Sequence, residues 1–116
     1  MAVIDVTDND FTASIQSSGV TVVDFGAPWC PPCKVLLPIL EELSGELGGS
    51  VPILKVNVDE SPVSAGRFGV MAMPTVIVFK DGEPVEKLVG LRTKSAYAAV
   101  VAKLASPLPQ SPAAAQ

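Results

Sequence analysis

The sequence predicts an α/β domain in which a central mixed sheet of five strands is flanked by four helices. Short apolar, β-branched runs alternate with segments whose apolar residues recur every three or four positions, as when strands alternate with helices. The short connection between the last two strands contains Asp81-Gly82, a hairpin signal that makes this pair antiparallel. At 116 residues the chain is long enough for one domain with a core and too short for two.

Five segments have the composition of strands. Residues 20–25 and 51–58 are almost continuously apolar and β-branched, which is typical of strands covered on both faces. Three shorter segments complete the predicted sheet, at residues 3–6, 75–79 and 85–89.

Capping signals and apolar spacing predict the four helices. Thr7 followed by Asp10 forms a weak capping box and predicts a helix through Ser17. Pro38 lies inside the second helix and should kink it. The second helix has an apolar stripe of Leu36, Leu40, Leu43 and Leu47. The last three helices are predicted to begin near Pro31, Ser61 and Thr93, and to end before Gly48, Gly69 and Pro107 respectively.

Composition narrows the class of protein. The composition, with 48% hydrophobic and 17% charged residues, is typical of a soluble globular domain. The net charge of −4 argues against nucleic acid as a partner. No apolar run approaches the roughly 20 residues of a membrane span, and the first residues lack the pattern of a secretory signal. We therefore expect a cytoplasmic protein without a membrane partner.

The domain is expected to span residues 1–105. Residues 106–116 contain three prolines and several alanines without any periodicity, so they are predicted to form a disordered Pro/Ala-rich C-terminal tail.

The two cysteines of the chain, Cys30 and Cys33, stand between a buried strand and a helix. At a helix start, unpaired N–H groups and the macrodipole favour the thiolate of Cys30, the species that attacks disulfides. Cys30 is therefore the predicted nucleophile and Cys33 the resolving thiol. We expect no metal site within the chain, because zinc needs four ligands and the sequence has two cysteines and no histidine. A metal shared between two chains and a static disulfide of modest stabilising value stay open as alternatives.

Asp24 and Lys55 each interrupt an apolar strand. Buried charges are costly unless they are paired or neutralised. From the residues alone, a mutual ion pair or an edge position explains either one.

Further motifs accompany the cysteine pair in order along the chain. Asp24-Phe25, Trp29-Cys30-Pro31-Pro32-Cys33-Lys34 and Pro38 are followed by residues 55–59, Met73-Pro74-Thr75, residues 79–82 and Val89-Gly90. Taken together, over roughly residues 3–105, they resemble the thioredoxin family.

The resemblance implies the thioredoxin fold and a protein-disulfide reductase. It implies that Asp24 accepts a proton from Cys33, that Lys55 modulates this step, and that Pro74, otherwise expected to be trans, is cis. The Met73 backbone would then bind a substrate chain as an added strand. The implied substrate-binding residues are Trp29, Pro31, Pro32, Ala72, Met73, Pro74, Val89 and Gly90.

The resemblance also implies partners. Disulfide-containing proteins would be the substrates of a monomer that needs no bound cofactor. A thioredoxin reductase-like flavoprotein would restore the dithiol, so that NADPH is used only indirectly.

Two positions depart from the family pattern. Pro31 replaces the usual glycine of the Cys-Gly-Pro-Cys turn, and Gly26 stands where many relatives carry an aromatic residue. Two alternatives therefore stay open: a more oxidising disulfide oxidase or isomerase, and a non-catalytic binding subunit that docks through Trp29, Pro74 and Gly90.

Overall fold

The structure, a computed structural model, describes residues 3–105. The predicted disordered tail at 106–116 lies outside the described residues. The elements in chain order are β1 (Ile4–Val6), α1 (Phe11–Ser14), β2 (Val20–Gly26), α2 (Pro31–Leu47), β3 (Ile53–Asn57), α3 (Pro62–Arg67), β4 (Thr75–Lys80), β5 (Glu83–Val89) and α4 (Lys94–Ala105).

The five strands form one mixed sheet in the order β1-β3-β2-β4-β5. Both β1 and β2 run parallel to β3, whereas β4 runs antiparallel to β2 and to β5. Asp81 and Gly82, the turn between β4 and β5, both have positive φ, as a tight two-residue hairpin requires. The predicted fold class, a mixed five-stranded sheet with four helices, is confirmed.

The core lies on both faces of the sheet because successive side chains of a strand point to opposite sides. On one face, Val22 of β2 packs with Leu40 of α2 and Tyr97 of α4. On the other face, Phe25 of β2 packs with residues of α1 and α3. The second face carries an aromatic cluster of Phe11, Phe25, Phe68 and Phe79.

The long helix α2 begins at the cysteine pair, and its leucine stripe follows further along the helix. Leu36, Leu40 and Leu43 are buried, as the spacing predicts, and burial of each stabilises the fold by roughly 1.5–3 kcal/mol. The helix continues through Pro38 to Leu47. The leucine stripe therefore anchors the helix whose N-terminus holds the candidate site.

The prediction for α1 is wrong in length. The helix covers only Phe11–Ser14, because the backbone of Ile15 is extended and Gln16 forms its hydrogen bonds with the next strand. The Gln16 N–H donates to Thr21 Oγ1 at 3.1 Å, and its side-chain amide donates to the Val20 carbonyl at 2.9 Å. These bonds to β2 replace the helical bonds that would have continued α1.

The N-terminus of α3 is capped by a residue distant in sequence. Ser61 is the N-cap residue, as predicted, but its side chain makes no cap hydrogen bond. The Asp8 carboxylate instead accepts the N–H groups of Val63 and Ser64 at 3.1 and 2.8 Å. Ser61 Oγ accepts the Asp8 N–H at 3.1 Å, so the two residues fix each other.

Within residues 3–105, every helix is too short or too polar to span a bilayer.

Candidate active site

Cys30 and Cys33 form a disulfide where the loop after β2 enters α2. Cys30 is the N-cap residue of the 17-residue helix. Pro31 and Pro32 lack N–H groups, so the first free donor of the helix is the Cys33 N–H, which donates to Cys30 Sγ at 3.3 Å. The Cys30 sulfur therefore faces a backbone donor and the positive end of α2.

Both cysteines are largely covered in this oxidised form. Cys30 is 4% and Cys33 9% exposed, and they share a small apolar cluster with Ala27, against which Val58 and Met73 pack. Cys30 Sγ lies 3.8 Å from the Met73 carbonyl oxygen. The Met73 backbone, implied as a substrate-binding group, thus lies directly beside the sulfur predicted to be the nucleophile.

The segment before β4 is held against β5. The Met73–Pro74 peptide bond is cis, as the resemblance implies, and the alternative of an ordinary trans proline is wrong. The Gly90 N–H donates to the Pro74 carbonyl at 2.8 Å, and Gly90 has φ +88°, a conformation that favours glycine. This explains Gly90 as a backbone clamp on the segment that follows Met73.

An exposed apolar patch surrounds the disulfide. Trp29 is 61% exposed. Its indole N–H donates to Asp59 Oδ2 at 2.7 Å. The apolar patch comprises Trp29, Ala72, Met73, Val89 and Gly90, of which Met73 and Gly90 are half-buried, while Pro31 and Pro32 are exposed at the start of α2 and Pro74 is buried beneath the patch.

Asp24 lies on β2 two residues before its end and is only 2% exposed. Its Oδ1 has no hydrogen-bond partner among residues 3–105. Burial raises the pKa of the Asp24 carboxyl to about 7, while the positive charge of Lys55 acts in the opposite direction. A carboxyl with this pKa can both accept and release a proton near neutral pH.

Lys55 is the neighbour of Asp24 in the parallel register of β2 and β3. Both strands are internal to the sheet, so the edge position considered for these residues is wrong. The Lys55 Nζ lies 3.7 Å from Asp5 Oδ1 on β1, and the lysine side chain is 38% exposed. Lys55 therefore reaches both solvent and the Asp5 carboxylate. Its positive charge still offsets part of the rise that burial causes in the pKa of Asp24.

A cavity of about 280 Å³ lies beside Cys33. Asp24, Cys33 and Lys55 line it together with Gly26 and residues of α2. The structure thus brings together the resolving cysteine and the two charged residues that the sequence singled out. Cys30 and the residues of the apolar patch are not among those that line this cavity.

Sequence reasoning missed the roles of three residues at the site. Asp59 belongs to the stretch that carries the resemblance, but nothing local to it indicates that it bonds the indole of Trp29. Asn57 Oδ1 in turn accepts the Asp59 N–H at 2.9 Å and orients this loop. Gly26 departs from the family pattern, but the cavity beside it follows only from the packing.

No group of three His, Cys, Asp or Glu side chains within residues 3–105 is arranged to hold a metal ion.

Comparisons with known proteins agree with this geometry. The thioredoxin family model matches residues 2–103. The chain is similar to a thioredoxin of Staphylococcus saprophyticus, with 54% identity over 103 residues that cover 89% of this chain and 98% of the relative. Thioredoxins of Staphylococcus haemolyticus and Staphylococcus aureus match over the same shares of both chains, with 54% and 50% identity.

Proposed function

This chain belongs to the thioredoxin family and is a thiol–disulfide oxidoreductase, and from this we propose how its residues reduce protein disulfides. The observation that carries the proposal is the Cys33 N–H that donates to Cys30 Sγ at the start of α2. A donor and a helix N-terminus stabilise a thiolate on Cys30 and not on Cys33. The two sulfurs thereby acquire different roles.

Cys30 begins the reaction as the nucleophile. Its thiolate attacks one sulfur of the substrate disulfide, so that a Cys30–substrate bond forms and the other substrate sulfur leaves as a thiolate. The leaving thiolate takes a proton from solvent. The product is a mixed disulfide between Cys30 and the substrate.

Cys33 completes the reaction as the resolving thiol. Asp24 accepts the Cys33 proton, the Cys33 thiolate attacks Cys30 Sγ, and the second substrate sulfur leaves reduced. A carboxyl with a pKa of about 7 suits this transfer, since it is partly ionised at neutral pH and its buried charge is costly to keep. Lys55 modulates the same equilibrium through its charge.

The apolar patch positions the substrate. An extended segment of a substrate protein lies across Trp29 and Val89 and pairs with the backbone of Met73 as an added strand. The 3.8 Å between Cys30 Sγ and the Met73 oxygen supports this arrangement, because a segment bound there would carry its disulfide to the nucleophile. Backbone pairing reads little of the substrate sequence, which suits a reductase of many proteins.

The oxidised protein is returned to the dithiol by a thioredoxin reductase-like flavoprotein that takes electrons from NADPH. Exchange between thiols and disulfides needs no bound cofactor in this chain. We place the protein in the cytoplasm as a monomer. Similarity to relatives named thioredoxin supports reductase activity over the oxidase, isomerase or binding-subunit alternatives.

The test is reduction of the insulin disulfides with dithiothreitol as the electron source. We expect wild type to accelerate the reaction and the double variant Cys30→Ser, Cys33→Ser to lose all acceleration. Cys33→Ser alone should accumulate a mixed disulfide on Cys30. A double variant that still supports the full reaction would overturn the proposal and favour a binding subunit.

A further inference from the structure

Tyr97 connects the core of the protein to the loop that follows β5. It is the single tyrosine of the chain, lies in the first turn of α4 and is 1% exposed. Its ring packs in the same cluster as Val22 of β2 and Leu40 of α2. Packing of the ring needs no hydroxyl, so the polar end of this buried side chain calls for a separate explanation.

The Tyr97 hydroxyl bonds to two backbone groups of the loop. It accepts the Arg92 N–H at 3.0 Å and donates to the Gly90 carbonyl at 3.4 Å. A buried hydroxyl is costly unless it is bonded, and these contacts satisfy it both as acceptor and as donor. Because burial raises the pKa of Tyr97 above its ordinary value of 10.0, the hydroxyl stays protonated at neutral pH and can donate.

The start of α4 fixes the position from which Tyr97 reaches the loop. Thr93 Oγ1 accepts the Ala96 N–H at 3.2 Å, as an N-cap side chain does. The Tyr97 N–H donates to the Thr93 carbonyl at 3.4 Å. The hydroxyl is therefore carried by a capped helix that packs on the sheet, and it joins residues 90–92 to that helix.

Gly90 links this loop to the candidate active site. Its carbonyl accepts from Tyr97 and its N–H donates to the Pro74 carbonyl at 2.8 Å, so the peptide groups on both sides of Gly90 are bonded. This support matters because glycine has more backbone freedom than any other residue. Met73 precedes Pro74, and its carbonyl oxygen lies 3.8 Å from Cys30 Sγ.

We propose that Tyr97 is a positioning residue for protein substrates. Its hydroxyl fixes Gly90, and the Gly90 N–H in turn holds the Pro74 carbonyl. The Met73 backbone is thereby kept in the orientation in which a substrate segment pairs with it as an added strand. Tyr97 is buried, so it touches no substrate and acts only through the backbone. The inference rests on the proposed function, because it names a core residue on which substrate binding at that site depends.

A separate bond limits the size of the expected effect. Thr75 Oγ1 donates to the Ala72 carbonyl at 2.6 Å and holds the segment on the other side of Met73. This bond does not involve Tyr97, so it remains when the tyrosine hydroxyl is removed. We therefore expect a loosened segment with a lower affinity for protein substrates, and not a loss of activity.

The first experiment compares Tyr97→Phe with wild type in the insulin assay. The variant keeps the ring and removes the hydroxyl. The KM for insulin should rise about three- to tenfold, as loss of one hydrogen bond implies, with kcat nearly unchanged. Val101→Ala is the matched control, because Val101 lies four residues further along α4 in the same cluster and is 2% exposed. Its truncation weakens the core and should leave KM unchanged.

A second substrate separates the positioning of a segment from the chemistry of the sulfurs. Bis(2-hydroxyethyl) disulfide has no peptide backbone that could pair with Met73. Reduced Tyr97→Phe should react with this small disulfide at the rate of wild type, although it reduces dilute insulin more slowly. Equal slowing with both substrates would overturn the proposal, since the effect of Tyr97 would then fall on Cys30 itself.

Amide hydrogen exchange measures the Gly90 clamp without any substrate. In the oxidised protein, the Gly90 N–H should exchange about three- to tenfold faster in Tyr97→Phe than in wild type, through local opening of the loop. Val101→Ala should leave this local rate unchanged. A Gly90 exchange rate that is the same in Tyr97→Phe and in wild type contradicts the proposal.

A second variant covers a failure to fold. If Tyr97→Phe is unfolded by circular dichroism, Tyr97→Leu, which also lacks the hydroxyl, must show the same rise in KM and in Gly90 exchange. Wild-type values in that variant would exclude a role for the hydroxyl.

The proposed function fails by a different result. Absence of insulin reduction by wild type would remove the protein-disulfide reductase mechanism, while the Gly90 exchange rates would still report on the clamp. Intact insulin reduction by wild type, together with an unchanged KM in Tyr97→Phe, would remove the positioning role of Tyr97 alone.

Discussion

Asp24 on β2 lies directly opposite Lys55 on β3 in parallel register, yet only the lysine reaches solvent. The Lys55 Nζ pairs with Asp5 on the next strand, 3.7 Å away. Desolvation therefore dominates over the attraction of Lys55, and the pKa of the Asp24 carboxyl rises to about 7. The proton of Asp24 is consequently exchangeable at the pH where thiol–disulfide exchange must proceed.

Asp24→Asn should slow the resolution of the mixed disulfide. Asparagine cannot accept the Cys33 proton, so the Cys33 thiolate forms less readily. Stopped-flow reduction of a model disulfide, measured from about pH 6 to 9, should show a rate that rises with pH through the Asp24 titration in wild type and loses that step in the variant. Identical profiles would remove Asp24 from the mechanism.

The same substitution should stabilise the fold at high pH. The pKa of the Asp24 carboxyl is 3.8 in the unfolded chain and about 7 in the folded protein. Between these two pH values the unfolded state binds fewer protons than the folded state, so the stability of wild type falls as the pH rises. The Asp24→Asn variant, which has no carboxyl to ionise there, escapes this loss. Urea unfolding should show a gain on the order of 4 kcal/mol at about pH 8 and almost none at about pH 4.

A neutral substitution on the surface separates this effect from a general loss of charge. Glu60→Gln, at an exposed position, should change the free energy of unfolding by no more than about 0.5 kcal/mol at either pH. A gain for Asp24→Asn that is equal at both pH values would contradict the burial argument.

Asp59→Ala should weaken substrate binding more than turnover. The variant removes the 2.7 Å hydrogen bond that orients the Trp29 indole, so the exposed ring samples other orientations in the apolar patch. Insulin reduction should show a KM raised several-fold, about 1 kcal/mol, with kcat nearly unchanged, and Trp29 fluorescence should change. Glu60→Ala serves as the neighbouring control, and an equal fall in kcat would contradict a purely positioning role.

The reduction potential of the Cys30–Cys33 pair should be about −270 mV, the value of thioredoxin itself. Pro31 and Pro32 lack N–H groups, so they add no donor to the one that the Cys33 N–H supplies to Cys30 Sγ. The reduced form therefore gains little of the extra thiolate stabilisation that makes a cysteine pair more oxidising. Equilibration against glutathione, followed by Trp29 fluorescence, gives the measurement. A potential of roughly −180 to −120 mV would instead indicate an isomerase or oxidase.

Deletion of residues 106–116 should leave thermal stability nearly unchanged. The segment has three prolines and no apolar periodicity, so it offers little to bury against the domain. Thermal unfolding of the chain truncated after Ala105 should agree with the full chain to within about 1–2 °C. A fall of several degrees would mean that the tail packs on the domain.

Most of the sheet and the redox pair are predictable from local sequence. The apolar run of β2 and the leucine stripe of α2 determine strand and helix through their periodicity. The Asp81-Gly82 turn determines the hairpin, because both residues tolerate positive φ. Two cysteines separated by two prolines at a helix start determine the thiol chemistry. Each signal operates within a few residues, where backbone geometry leaves few choices.

Other features were decided only by the tertiary structure. Asp8 caps α3 across a separation of 55 residues, and Asp59 holds Trp29 across a separation of 30. Lys55 pairs with Asp5 because β1 lies beside β3, which no local pattern indicates.

The close approach of Gly26 to Cys33 has the same origin. In the sequence Gly26 is a departure from the family pattern, and only the packing of the elements places it against the Cys33 sulfur. By itself the sequence therefore determined the fold and the reactive pair, because periodicity and turn chemistry are local. The tertiary structure decided which distant groups surround that pair, because burial and cavity shape depend on how the elements pack.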